Sequence, residues 1–402
     1  MQDPHPVPVL PKDEIPIMGP WPYFAPDEIE AVTHVLTTGK VNYWTGDEGR
    51  KFEQEYADFV GSRHAVAVAN GTVSLELALY CLGIGPGDEV VVPPRTFIAT
   101  ASAVVARGAT PVLADVDRDS GNITAESIER VLSSKTRAVI CVHLAGWPCE
   151  MDALLDLVES KNLYLIEDCA QAHGASYRGR AVGSFGQFGS FSFCQDKILT
   201  TGGEGGLVTT DDTELFKTAW SYKDHGKGYD AVYHHEHPPG FRWVHESFGT
   251  NWRMTEMQSA LGRVILRKLP GWVESRRRNA AILDSYVEGA GALRPAPPPA
   301  HLVHSYYKYY LYVEPAHLKT DWNRDRIQDE IIGLGVPTFS GSCSEIYLEK
   351  AFGPELRPPQ PLPVAQELGR TSLMFQVHPT LSEDYLHYAG TQIRSVLDRA
   401  LR

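Results

Sequence analysis

Between residues 64 and 168 short apolar runs alternate with amphipathic ones, and few architectures accept that rhythm. Residues 64–69, 89–92, 111–116, 138–143 and 163–167 read as strands, and 74–82, 96–107, 125–132 and 151–160 read as helices between them. Strands joined by helices of that length form βαβ units with right-handed crossovers, so the expected fold class is α/β with a mostly parallel sheet. Beyond Gly183 the pattern loosens. Strands at 189–193 and 206–210 bracket a glycine-rich turn, Thr201-Gly202-Gly203-Glu204-Gly205-Gly206. A helix is expected over 255–269, closed by Pro270 and resuming to Val287. A proline-rich junction at 293–300 and an aromatic strand at 304–313 then suggest a smaller α+β unit. The expected division is an extended arm over 1–24, a large α/β domain over 25–270 and a small α+β domain over 271–402.

Composition excludes several functions. Thirty-seven Lys and Arg against 50 Asp and Glu leave a formal charge of −13, which argues against a nucleic-acid coat or a binder of anionic membranes. Six cysteines show no CxxC spacing, as expected in a reducing cytoplasm. No basic region followed by an apolar core opens the chain, and no stretch reaches the ~20 apolar residues of a membrane span. The consecutive His234-His235-Glu236-His237 cannot all converge on one ion, so no metal is expected.

Four local features sit where open α/β sheets place ligands, at the carboxyl ends of strands. Gly71-Thr72 opens a helix, either as an ordinary βα turn or, through the helix's free N–H groups and dipole, as a phosphate site. Asp168 ends a buried strand, where a carboxylate can hold a protonated ring nitrogen. Lys197 lies between an apolar strand and flexible glycines; it is either a surface lysine or one that desolvation favours as the neutral amine that condenses with an aldehyde. Asn251 and Arg253 precede Thr255, a helix cap, and each can serve a phosphate, a carboxylate or simply the loop.

Together with NGTVSLELAL, VVVPPRTFIATASAVV, HLAGWPCEMDAL, IEDCAQAHGA, GSFSFCQDKILTTGGEGG, NWRMTEMQSALG and FQVHPTLSEDYL, these features resemble the DegT/DnrJ/EryC1/StrS family of pyridoxal-phosphate-dependent sugar aminotransferases. The resemblance runs from Pro26 to the C-terminus and implies the fold of the aspartate-aminotransferase class, fold type I. By that resemblance Lys197 carries pyridoxal 5′-phosphate (PLP) as a Schiff base, and Asp168 pairs with its ring nitrogen. Gln171 contacts the ring hydroxyl and Phe97 stacks on the ring. Gly71, Thr72 and Ser192 hold the phosphate, with Asn251 reaching in from the second subunit of a homodimer with shared active sites. The cofactor alternates between PLP and its pyridoxamine form (PMP) as glutamate or glutamine donates an amino group to a keto-sugar, nucleotide-linked or not, or to a keto-cyclitol.

Substrate contacts are expected from Tyr43, Thr45, Arg95, Arg253 and His304. Arg95, Cys194 and the segment 338–345 depart from the commonest family pattern, which leaves specificity open. The dehydratase branch of the family has histidine where this chain has Lys197, which disfavours dehydration. Retention of Asp168, Gln171 and Lys197 likewise disfavours a regulator that binds the cofactor without turnover.

Overall fold

The computed structural model describes residues 16–402, so most of the expected arm lies outside the described residues. Among the described residues thirteen strands are present: β1 His64–Val68, β2 Glu89–Val92, β3 Thr110–Leu113, β4 Thr136–Val142, β5 Tyr164–Asp168, β6 Ser176–Tyr177, β7 Arg180–Ala181, β8 Phe188–Ser192, β9 Gly206–Thr210, β10 Leu293–Arg294, β11 Leu302–Val303, β12 Tyr309–Val313 and β13 Ser372–Phe375. Seven of them form one sheet in the order β1-β9-β8-β5-β4-β2-β3. Only β9 runs antiparallel to its neighbours, so the other six share a direction and their carboxyl ends share one edge. Val90, Val91 and Val92 are fully buried, as are Ile166 and Phe188. Burial on both faces is why these strands read as continuous apolar runs and not as alternating ones.

The helices are α1 Pro26–Thr38, α2 Glu48–Val60, α3 Gly71–Cys81, α4 Ala99–Ala106, α5 Ala125–Glu129, α6 Met151–Lys161, α7 Thr213–Lys223, α8 Tyr229–Tyr233, α9 Glu256–Val287, α10 Arg324–Gly333, α11 Pro363–Thr371 and α12 Glu383–Ala400. α3 starts three residues earlier than the periodicity suggests, because Asn70 Oδ1 accepts the Val73 N–H at 3.0 Å and caps it. α4 starts later than expected, which leaves Phe97 on the loop before it.

α9 opens on a reciprocal capping box: Thr255 N–H donates to Gln258 Oε1 at 3.0 Å and Gln258 N–H to Thr255 Oγ1 at 3.4 Å. Its 32 residues run through Pro270 without a stop. A proline there removes one helical hydrogen bond, and the packing on either side offsets that cost. Leu269 and Val273 pack into the core beneath the seven-stranded sheet, whereas Ala280, Leu283 and Val287 pack into a second core with the three-stranded sheet β10-β12-β13 and α12. α9 is thus a spine common to both cores. The expected aromatic strand is regular only over β12. Residues 302–303 pair instead with β6, and Tyr306 between them adopts φ 48°, which turns the chain toward the edge where the strands end.

Candidate active site

Register places the site residues on that edge. Asp168, the last residue of β5, pairs with Ser190 of β8, and Ser192 ends β8 two residues further on. Asp168 is only 6% exposed and is held by two donors: Thr100 Oγ1 to Oδ2 at 2.9 Å, and the Ala170 N–H to Oδ1 at 3.1 Å. Thr100 in turn shares a 2.9 Å hydrogen bond with Thr96. Burial pushes the Asp168 carboxyl above its usual range, while Ala170, Thr100 and the nearby Lys197 ammonium oppose that shift. A carboxylate so poised would gain from a cationic partner.

Lys197 follows Cys194 in a turn stabilised by the Lys197 N–H donating to the Cys194 carbonyl at 3.0 Å. Its ammonium is largely buried, 3.7 Å from Asp196 Oδ1 and 4.9 Å from the centre of the Tyr307 ring. Trp21 donates its indole N–H to the Lys197 carbonyl at 3.2 Å. Gln171 is buried and its Oε1 accepts the Ala145 N–H at 2.8 Å, which fixes the amide nitrogen as the outward group. Phe97, two residues before α4, is 68% exposed although its neighbours Thr96 and Thr100 are buried.

The first turn of α3 closes the arrangement. Gly71 is pressed so close to β8 that a Cβ there would lie 2.5 Å from Ser192 Cβ. The first backbone donors of that helix therefore stand beside the Ser192 hydroxyl, a geometry suited to a phosphate. Beneath it, His173 Nε2 lies 2.9 Å from the Ser192 carbonyl and Nδ1 lies 2.8 Å from the Tyr56 hydroxyl. A carbonyl can only accept, so Nε2 donates to it and Nδ1 accepts from Tyr56. Burial lowers this imidazole to about 3, which keeps it neutral.

The expected substrate residues divide. His304 is buried, stacks on Tyr306 at 3.9 Å and is lowered by burial to about 3. Arg95 is 1% exposed: one terminal nitrogen donates to Ser344 and the other to Ser372 Oγ at 2.9 Å. Its guanidinium braces the interior, and no face of it opens to a diphosphate. The Thr96 N–H donates to the Cys343 carbonyl at 3.2 Å, so the two stretches that depart from the family pattern pack on each other beside Phe97.

Tyr43, Thr45 and Arg253 gather elsewhere, along the outer edge beside β1. Asp224, fully buried, accepts from Arg253 at 2.6 Å, Lys227 at 3.0 Å and the Trp44 indole at 2.8 Å. Tyr43 is buried with its hydroxyl on Glu53 at 3.0 Å and the Lys223 ammonium 4.3 Å above its ring. Thr45 Oγ1 closes its own turn on the Asn42 carbonyl at 3.0 Å. Asn251 is exposed and bridges Asp224 through the backbone. Among the described residues none of these four hydrogen-bonds to Asp168, Gln171, Ser192 or Lys197. Asp196 adjoins Lys197 in the chain, whereas Trp21 and Tyr307 reach it from distant segments and no local motif marks them. The only signal for Tyr307 is the density of aromatic residues over 306–312.

A mostly parallel sheet, a lysine and a buried carboxylate at its carboxyl edge, and a helix start pressed on a serine describe a known type of enzyme. The sequence model of the DegT/DnrJ/EryC1/StrS aminotransferase family matches residues 22–394. The chain belongs to that family. It is an aminotransferase with the α/β fold of the PLP-dependent transaminases. Among characterised relatives it is similar to the GDP-perosamine synthase of Escherichia coli O157:H7, 34% identical over 349 residues that cover 86% of this chain and 90% of the relative. It also resembles the L-glutamine:2-deoxy-scyllo-inosose aminotransferase of Micromonospora echinospora, 39% identical over 278 residues covering 68% and 65% of the two chains. A solved aminotransferase from Psychrobacter cryohalolentis superposes with a TM-score of 0.94 at 55% identity, covering 96% of this chain and 100% of the other. No described helix is long and apolar enough to cross a membrane.

Proposed function

We propose that this aminotransferase moves an amino group from L-glutamate or L-glutamine to the ketone of a sugar or cyclitol in two alternating half-reactions, with PLP as its resident cofactor. The observation that supports this best is the convergence of Lys197, Asp168, Phe97 and the Gly71–Ser192 contact at one edge of the sheet. When bound, the cofactor supplies an electron sink for the carbon whose C–H bond breaks. The rest is work for the protein's own groups. Asp168, oriented by Thr100 and Ala170, keeps a proton on the ring nitrogen. Lys197 Nζ holds the cofactor and, once displaced, takes the proton from the donor's Cα. The Gln171 amide nitrogen donates to the ring hydroxyl, Phe97 covers one ring face, and Gly71, Thr72 and Ser192 receive the phosphate.

In the same reading the exposed Asn251 completes the phosphate site of a second copy, which makes the working unit a homodimer of shared active sites. The division near residue 270 and a cytoplasmic location belong to it too. A nucleotide-linked keto-sugar and a free keto-cyclitol both fit the family, and the two named relatives exemplify these acceptor classes. The test loads the protein with PLP, adds glutamate or glutamine, removes the small molecules and presents the aminated form to keto-sugars and keto-cyclitols. The expected result is loss of the long-wavelength cofactor band with release of an oxo acid, then its return with one acceptor class. Absence of oxo acid with both donors would overturn the proposal.

A further inference from the structure

The surroundings of Lys197 hold more positive charge than their own acids balance. Lys308 reaches the same Tyr307 ring, its amine 4.7 Å from the centre, so both amines lie within about 5 Å of one ring. Among the described residues the Lys308 amine has no hydrogen bond and no ion pair. Arg276 enters from α9 and is 2% exposed; its Nη1 donates to the carbonyls of Tyr306 at 3.3 Å and Tyr307 at 3.2 Å. Among the described residues its Nε and Nη2 have no acceptor, and the buried Nε2 of His378 has no hydrogen-bond partner. Asp196 is the carboxylate these groups share, and it is already engaged by Lys197 at 3.7 Å and by the Tyr307 hydroxyl. Leaving buried donors and cations unpaired is costly, so such a cluster fits a place where an anion arrives.

The position narrows the anion. In a transaminase the donor's amino nitrogen takes over from the lysine, and in any α-amino acid a carboxylate stands two bonds, of about 1.5 Å each, from that nitrogen. A binder of that carboxylate must therefore lie beside Lys197, where Lys308 and Arg276 are found. We propose that Lys308, backed by Arg276, anchors a carboxylate of the amino donor. This assignment rests on the transaminase reading above and adds to it the residue that recognises the donor. Burial lowers the Lys308 amine to about 8, with Arg276 and Lys197 adding to the shift and Asp196 opposing it. Protonated below that value and neutral above it, the anchor weakens as pH rises. The charged and titratable groups that face it are Asp196, Lys197, Arg276, His378 and the Tyr307 hydroxyl.

The two half-reactions can be measured apart, which gives a direct test in the PLP-loaded protein. Lys308→Met is expected to raise the half-saturating donor concentration more than about tenfold while the maximal rate changes by less than about threefold. The step with the accepted ketone should be unaffected, and Lys308→Arg should restore donor binding. Loss with both glutamate and glutamine assigns the α-carboxylate, and loss with glutamate alone assigns the side-chain carboxylate. In the unmodified protein half-saturation should climb above a pH of about 8, and in Lys308→Met that climb should vanish. Calorimetric titration with glutarate should show binding weakened by a similar factor in Lys308→Met. Unchanged donor saturation and unchanged glutarate binding would overturn the proposal, as would an equal loss in the ketone step. A protein that binds glutarate through Lys308 yet never releases an oxo acid would sink the transaminase reading and leave the anchor standing.

Discussion

Thr100→Val removes a hydroxyl and keeps the shape, so it isolates one hydrogen bond, that from Thr100 Oγ1 to Asp168 Oδ2 at 2.9 Å. A hydrogen bond to a charged group contributes about 1.5–3 kcal/mol. It matters more than usual here because Asp168 is buried and burial already favours the protonated acid. Losing a donor that favours the carboxylate must raise the folded-state pKa further. For a carboxyl raised on folding, the native state holds its proton more tightly than the unfolded chain. Stability is therefore fully present below the ordinary carboxylate value and declines as pH rises through the raised one. The cofactor-free variant should thus be about 1.5–3 kcal/mol less stable than the parent at neutral pH, with the gap closing in acid. Denaturant unfolding at a series of pH values measures this. In the loaded enzyme the acid limb of the donor half-reaction should move to higher pH with little change in donor saturation. A stability difference equally large in acid, with an unmoved acid limb, would show that Thr100 acts only by packing.

Other changes probe the remaining parts. Gly71→Ala sets a methyl 2.5 Å from Ser192 Cβ, and overpacking of that kind costs about 1–3 kcal/mol, so both thermal stability and PLP affinity should fall. Tyr56→Phe leaves the buried Nδ1 of His173 without its donor, a loss of about 1–3 kcal/mol in unfolding free energy. Pro270→Ala restores a helical donor inside α9 and should stabilise the protein, by up to ~3 kcal/mol in denaturant titration. Lys197→Ala should remain folded and bind PMP, but release no oxo acid from glutamate.

The parts that local chemistry determines were legible in the sequence. Strands buried on both faces demand apolar runs, and Gly71-Thr72 marked a helix start, although the Asn70 cap that fixes it emerged only in the structure. The carboxyl edge shared by β5 and β8 then brings Asp168 and Ser192 together. What escaped depends on distant neighbours. Residues 306–312 satisfy a strand pattern through their aromatic rings, yet Tyr306 turns the chain so that Tyr307 and Lys308 meet Lys197, which no spacing announces. Arg95 looks like an anion ligand by type, but it is buried and its two terminal nitrogens are engaged by Ser344 and Ser372. Asp224 gathers Trp44, Lys227 and Arg253 from three separate segments, so the burial of Tyr43 nearby had no local sign. Pro270 reads as a stop and fails as one, because the cores on both sides of α9 hold the helix together.

The most direct test of the central claim is borohydride reduction of the PLP-loaded protein followed by peptide mass mapping. The cofactor mass is predicted on the peptide carrying Lys197, and in the Lys197→Ala protein no peptide should carry it. Label on the neighbouring Lys308, or none on any lysine, would contradict the account.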